Sequence, residues 1–237
     1  MHTAVMFSGG ADSCLTLRTA INEVGLYDVV AVYVNFIGQS DPREKEFVVK
    51  KLSDMDVACI IHDVVVHDHG KGPEGNARRE FKSVLDHYLR SDAFDSVWIG
   101  HNKDDHIETV LIQAFRGAGS GSKGIPDQRQ GKLYRPILNL TRDEVRARCV
   151  ENGDVWYSDP MNSDENLTRV FFREQVIPLL KSHYGDGVYN KIDKIARRIS
   201  QGVAYEKTAV GSHSGKCKCS SGTGCGKTSC CKSANNG

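Results

Sequence analysis

The stretch that most constrains this chain is Ala4-Val5-Met6-Phe7-Ser8-Gly9-Gly10-Ala11-Asp12-Ser13-Cys14, an apolar run that passes straight into a glycine pair and then into a helical pattern. Strand, tight turn and helix start, in that order, make a phosphate cradle. Two glycines let the backbone approach an anion, while Ser8, Ser13 and the first helical N–H groups donate where the helix dipole is positive. Asp12 does not suit a bare phosphate. Its carboxylate repels polyphosphate unless a divalent cation lies between them, so Ser8, Gly9, Gly10, Asp12 and Ser13 read as a site for a nucleotide carried with Mg2+. An ordinary β-turn-α connection capped by Ser or Asp gives the same pattern when it stands alone.

The rest of the chain alternates strand and helix. Helical spacing over residues 12–24 ends at Gly25, and the continuous apolar run Val29 to Val34 predicts a strand buried on both faces. Asp41-Pro42 starts a helix that runs to about Met55, and Val57 to Val66 is a third strand. A polar loop, His67 to Gly75, leads to a helix from about Asn76, and its His-Asp-His offers a metal half-site or simply solvated side chains. Asp95 to Gly100 is a fourth strand, followed by a helix over residues 103–115. Leu133 to Leu138 is a fifth strand, and Thr141 with Glu144 caps a helix to about Asn152. Two helices, roughly 168–184 and 187–208, follow. This alternation predicts an α/β fold, a Rossmann-like doubly wound parallel sheet with a C-terminal helical extension, whose ligands sit at the carboxyl ends of the strands.

At 237 residues the chain suffices for one such domain. The boundaries read as a nucleotide-binding domain over 1–160, the helical extension over 161–210, and a tail over 211–237. No basic leader precedes an apolar run, and no apolar stretch is long enough to span a bilayer, so a cytoplasmic protein without membrane contact is expected. Net charge is +1, but the tail holds four lysines and no acid, which leaves the body near −3. A nucleic-acid partner would therefore meet a local basic face, and 168–210 carries one, with an excess of +4.

The tail should be disordered without metal, and Cys217, Cys219, Cys225, Cys230 and Cys231 have soft-metal spacing. Its Gly226-Lys227-Thr228 lacks the strand and first glycine of a Walker A loop. Gly117 to Ile125 is Gly- and Ser-rich and reads as a basic loop flexible enough for a lid; its Gly119 to Gly124 is formally GxGxxG, but it follows a helix instead of a strand.

A second constellation lies at His101-Asn102-Lys103-Asp104-Asp105-His106-Ile107-Glu108. It puts Asp105 and Glu108 on one helical face. The fourth strand is expected beside the first, which brings His101 and this acidic pair to the cradle. Acid enrichment at a helix start for dipole reasons is the alternative for an isolated helix.

The Ser8-to-Ser13 signature resembles the PP-loop (N-type) ATP pyrophosphatases, and within them residues 100–119 resemble the hallmark of the tRNA(Ile)-lysidine synthetase family. The likeness continues through Arg135-Pro136-Ile137-Leu138, Arg142 with Glu144, Asp159 to Asp164, and Arg169 with Arg173 before Val176 to Leu180. It covers residues 4 to about 185 and suggests a minimal form without the family's C-terminal domains. Phe81-Lys82 stands where the family has Arg-Tyr, and Val170 where it has Asn.

The resemblance implies that ATP, with Mg2+, adenylates the C2 oxygen of the wobble cytidine in a CAU-anticodon tRNA(Ile), and that the ε-amine of free L-lysine then displaces AMP. Asp12 would hold the metal through the nucleotide. Asp105 and Glu108 would hold lysine, His101 would act as a base or adenylate contact, and Arg78, Arg116, Arg169 and Arg173 would meet phosphate or tRNA. A PP-loop tRNA 2-thiolase and a non-catalytic nucleotide- or RNA-binding module are the rival readings.

Overall fold

A computed structural model of the chain describes residues 2–70, 72–119, 122–126, 128–158, 168–185 and 187–200. They fall within one compact unit, Met1–Val203. The run 159–164, the tail and its cysteines lie outside the described residues.

The sheet has the order β3-β2-β1-β4-β6-β5. Strands β1 (Thr3–Met6), β2 (Val29–Ile37), β3 (Ala58–Val65) and β4 (Ser96–Ile99) are mutually parallel where they pair. Helices α1 (Ala11–Val24), α2 (Pro42–Asp54), α3 (Gly72–Arg90) and α4 (Lys103–Phe115) follow them in turn. After the short strands β5 (Arg129–Gln130) and β6 (Leu133–Tyr134) comes α5 (Arg142–Glu151).

The two-residue period of β1 feeds both faces of the sheet. Val5 and Phe7 join Leu17, Ala31, Tyr33, Trp98 and Val145 on one side, while Ala4 and Met6 join Val32, Val97, Ile99 and Tyr88 on the other. Burial of β1 on both faces explains why it carries no polar side chain after Thr3, and fixes its carboxyl end, where the glycine turn begins, at the middle of the sheet.

The structure corrects the sequence reading in several places. α3 begins at Gly72, because Pro73 serves as a first-turn residue and Gly72, at φ +71°, turns the chain into the helix. The fifth strand extends only over Leu133–Tyr134: Pro136 has no ladder donor, and the Arg135 N–H turns back to the Gln128 carbonyl at 2.7 Å. β5 pairs antiparallel with β6 around Gly131, so the sheet is mixed rather than wholly parallel.

The expected helix 168–184 is three pieces: α6 (Thr168–Phe171), a π-helical turn (Phe172–Val176) and α7 (Ile177–Tyr184). Pro178 supplies no N–H to the Glu174 carbonyl, and the widened turn stands where that bond is missing. The last described helix is α8 (Val188–Ser200). Its Val188, Tyr189, Ile192 and Ala196 pack with Ile107 and Val110 of α4 and Ile177 of α7. No helix among the described residues is long and apolar enough to cross a membrane.

Candidate nucleotide and carboxylate site

The turn after β1 is built for close approach. Gly9 sits at φ +79°, and a Cβ there would lie 3.0 Å from a Val48 methyl. Gly10 is the N-cap of α1, and no side chain caps that end. The leading N–H groups of α1 thus lack the usual side-chain acceptor, which suits an anion. Ser13 Oγ donates to the Gly10 carbonyl at 2.9 Å, and Ser8 Oγ donates to Ser13 Oγ at 3.4 Å.

A strap from the far side of α5 closes over this turn. Tyr157 N–H donates to the Gly9 carbonyl at 2.9 Å, and its hydroxyl donates to Asp41, the N-cap of α2, at 2.7 Å. The strap is anchored at Asp154, which accepts a two-pronged bond from Arg18 at 2.7 Å per contact and lies 3.4 Å from Lys51 Nζ. Lys51 also donates to the Val155 carbonyl at 2.9 Å. A bidentate arginine–carboxylate pair with its acid buried fixes orientation as well as position.

β4 ends against the same turn. A Cβ on Gly100 would come within 2.8 Å of the Asp12 carbonyl oxygen, so only glycine lets β4 and α1 meet this closely. The next residues deliver the second constellation. Asn102, fully buried, caps α4: its Oδ1 accepts from the Asp105 N–H at 2.9 Å, while Asp105 Oδ2 accepts from the Asn102 N–H at 3.1 Å. Its Nδ2 donates to Asp12 Oδ1 at 2.9 Å. Burial, then repulsion from Asp105, raises the Asp12 carboxyl to about 6.

Glu108 is fully buried, and its carboxylate gathers arginines from later in the chain. Arg173 contacts it at 2.9 and 3.3 Å, Arg142 at 3.3 Å, and Arg169 at 3.6 Å. Arg142 lies 3.5 Å and Arg169 3.9 Å from Asp105. Asp104 accepts from the Arg142 backbone N–H at 2.8 Å and from the Tyr189 hydroxyl, which docks α5 and α8 onto the start of α4.

His101 accepts at Nδ1 from Arg135 Nε, 3.3 Å away. Burial, followed by the positive field of Arg135, Arg169 and Arg78, lowers its pKa to about 3.

The structure therefore brings Ser8, Gly9, Gly10, Asp12, Ser13, His101, Asp105, Glu108, Arg169 and Arg173 to one region. Arg78 is an exposed residue of α3 whose charge reaches His101. Arg116 is set apart: it caps the carboxyl end of α4, and a helix of 13 residues puts it about 20 Å from the amino end.

Reading by motif gave no role to Asn102, Asp104, Arg135 or Tyr157. The signal for Asn102 was present, since Asn followed by an acid three residues on is a capping pattern.

Among the described residues no group of three or more His, Cys, Asp or Glu could hold a metal. In the His67-Asp68-His69 loop, Asp68 accepts from Gly70 N–H and the Asn76 amide, and His69 pairs with Glu80 at 3.0 Å. Asp12 fits a Mg2+ shared with phosphates, because its carboxylate is desolvated and faces Asp105 with one oxygen bonded to Asn102. The expected lid is docked where it is described: Gly124 N–H donates to Gln113 and Ile125 N–H to His106 Nδ1.

Comparison with known proteins places the chain in a family. A family model described as a PP-loop domain matches residues 1–180. The tRNA(Ile)-lysidine synthase of Leifsonia xyli is 37% identical over 132 residues, 55% of this chain and 39% of that protein. The protein of the same name from Porphyromonas gingivalis (strain W83) is 33% identical over 184 residues, 75% of this chain and 40% of its own length. That of Bacillus licheniformis is 28% identical over 209 residues, 84% and 44%. The chain thus spans less than half the length of these relatives. Among solved structures, the U34-tRNA thiolase NcsA of Methanococcus maripaludis superposes with a TM-score of 0.65 at 19% identity, over 89% of this chain and 76% of that one, a likeness of fold.

Proposed function

The chain belongs to the PP-loop domain family, and on that premise we propose that it carries the ATP-using centre of a cytoplasmic tRNA-modifying ligase of the lysidine-synthase type. The observation that carries the reading is the Asn102–Asp12 hydrogen bond of 2.9 Å, which joins the phosphate cradle to the carboxylate-rich start of α4. In this reading the cytidine C2 oxygen attacks the α-phosphorus of ATP, the α–β phosphoanhydride breaks, and pyrophosphate leaves. The lysine ε-amine then adds at C2, the C–O bond to AMP breaks, and the amine gives up a proton.

Each group has work suited to its surroundings. The α1 N-terminus, Ser8 and Ser13 bind the phosphates. Mg2+, when bound, neutralises charge on the departing pyrophosphate, and Asp12 is the residue that would hold it. Asp105 and Glu108 attract the cationic amino acid. Because Glu108 is already held by Arg142, Arg169 and Arg173, an incoming ammonium would compete with the longest of these contacts, those of Arg169, and would meet Asp105 first. Residues 161–210 would form a helical extension to the domain at 1–160, offering its basic face to a CAU-anticodon tRNA(Ile), and the cysteines of the tail would form a soft-metal set.

The two buried thiols do not favour sulfur transfer. Burial pushes Cys14 up to about 12 and Cys149 to about 11, so both stay protonated, whereas sulfur chemistry needs a thiolate. The test is to incubate the protein with ATP, Mg2+, radiolabelled lysine and a CAU-anticodon tRNA. Label in RNA with stoichiometric AMP and pyrophosphate is expected. Lysine-independent AMP with sulfur uptake would establish the thiolase, and absence of ATP turnover would establish a binding module.

A further inference from the structure

We infer that Arg135 is a positioning residue that fixes His101 as the neutral tautomer protonated on Nε2, so that His101 offers a hydrogen-bond donor, and not a base, to a phosphate oxygen in the cradle. Proton inventory at the two side chains fixes the tautomer. A guanidinium has donors and no acceptor, so the 3.3 Å contact from Arg135 Nε requires a lone pair on His101 Nδ1. A neutral imidazole carries one ring proton, which must then sit on Nε2. Protonating Nδ1 as well would set N–H against N–H.

The surroundings enforce this state. Arg135 is 5% exposed, so packing confines its side chain, and its backbone is fixed by the bond to the Gln128 carbonyl. The charges acting on the ring come from three elements: Arg135 beyond β6, Arg78 of α3 and Arg169 of α6, all cationic. Together with burial they oppose an imidazolium throughout the physiological range.

Placement indicates what the Nε2–H meets. His101 follows Gly100, whose backbone abuts the first turn of α1. His101 is thus the chain neighbour of the residue that meets the uncapped end of α1, and a donor at this position suits the same anion. With Nδ1 engaged and Nε2 already protonated, His101 has no site for the proton released by the lysine amine. That proton falls to a carboxylate or to water.

The phosphate partner rests on the proposed ATP chemistry; the tautomer does not. Nitrogen-15 NMR of the full chain with labelled imidazoles reads it directly, without tRNA or lysine. The expected spectrum shows His101 with a pyridine-like Nδ1 and a pyrrole-like Nε2, unchanged from pH 5 to 8. Arg135→Met should free the neutral ring to place its proton on Nδ1, so that the two nitrogens average or exchange character, and Arg135→Lys should restore the fixed tautomer. Adding ATP with Mg2+ should shift the Nε2–H proton downfield. A proton on Nδ1, or an imidazolium forming between pH 5 and 8 in the unmodified chain, would overturn the assignment even if Arg135→Met failed to fold. An unshifted Nε2–H in nucleotide-saturated protein would overturn the phosphate contact alone.

Discussion

Asn102 and Asp12 hold each other across 90 residues of sequence: the Asn102 amide donates to the Asp12 carboxylate and, from its other end, caps the helix that carries Asp105 and Glu108. One side chain therefore sets both the start of α4 and the aim of the candidate metal ligand. Asn102→Ala should cost about 1 kcal/mol of stability through the lost cap. Its effect on ATP–pyrophosphate exchange should be larger than that loss accounts for. Denaturant titration and exchange kinetics on the same preparation check this, and parallel small losses in both would reduce Asn102 to a cap.

Asp12 makes a pH prediction whose sign follows from its raised pKa. Its folded value, about 6, lies above the ordinary 3.8, so the folded protein holds that proton more tightly. The resulting stabilisation is fully present below about pH 3.8 and is lost as pH rises through 6, leaving the ionised carboxylate destabilising by about 3 kcal/mol at neutral pH. Asp12→Asn should accordingly raise the melting temperature at pH 7.5, with little change near pH 4, while abolishing ATP turnover. Calorimetry at the two pH values would show it. A variant destabilised at pH 7.5 would contradict the account.

Glu108 behaves differently because its charge is matched. Glu108→Ala leaves Arg142, Arg169 and Arg173 facing one another in a buried space, and should cost about 3–5 kcal/mol, enough to unfold many domains. Asp105→Asn, which keeps the capping geometry, should fold and raise the KM for lysine with a smaller effect on adenylation. Chemical denaturation separates the first outcome, and steady-state kinetics at varied lysine the second.

Gly100 tests the contact between β4 and α1. An added methyl would strike the Asp12 backbone at 2.8 Å, and Gly100→Ala should reduce ATP turnover at least tenfold. Gly38→Ala is the control: its Cβ meets nothing within 4 Å, although φ +77° makes it cost about 1 kcal/mol in strain. Equal kinetic effects from both variants would argue against close packing as the cause.

Local chemistry was legible in the sequence, and distant pairing was not. The strand–glycine–helix stretch, Asp41-Pro42 and the Thr141–Glu144 capping box each declare themselves within a few residues, and the structure bears out all of them. The β5–β6 hairpin is two residues per strand, too short for any period to register. Pro178 was visible, yet a missing N–H can kink, break or widen a helix, and its position alone does not say that the outcome is the π turn at Phe172–Val176. The partners of Glu108 lie between 34 and 65 residues further along, and no pattern of spacing announces which arginine a buried carboxylate will meet. Arg169 and Arg173, expected to meet phosphate or tRNA, instead meet the buried Glu108 carboxylate.

The strap that ends at Tyr157 has a consequence for how such a site comes into being. Arg18 leaves the ribosome early, in the first helix, but its partner Asp154 follows 136 residues later. Until then the turn at Gly9 and Gly10 has neither the Tyr157 amide nor the Asp154 anchor to hold it. Synthesis runs from the amino end, so the stretch encoded first is among the last to be finished. A nascent chain halted anywhere before α5 would contain the whole phosphate-binding signature and still lack the clasp that shapes it.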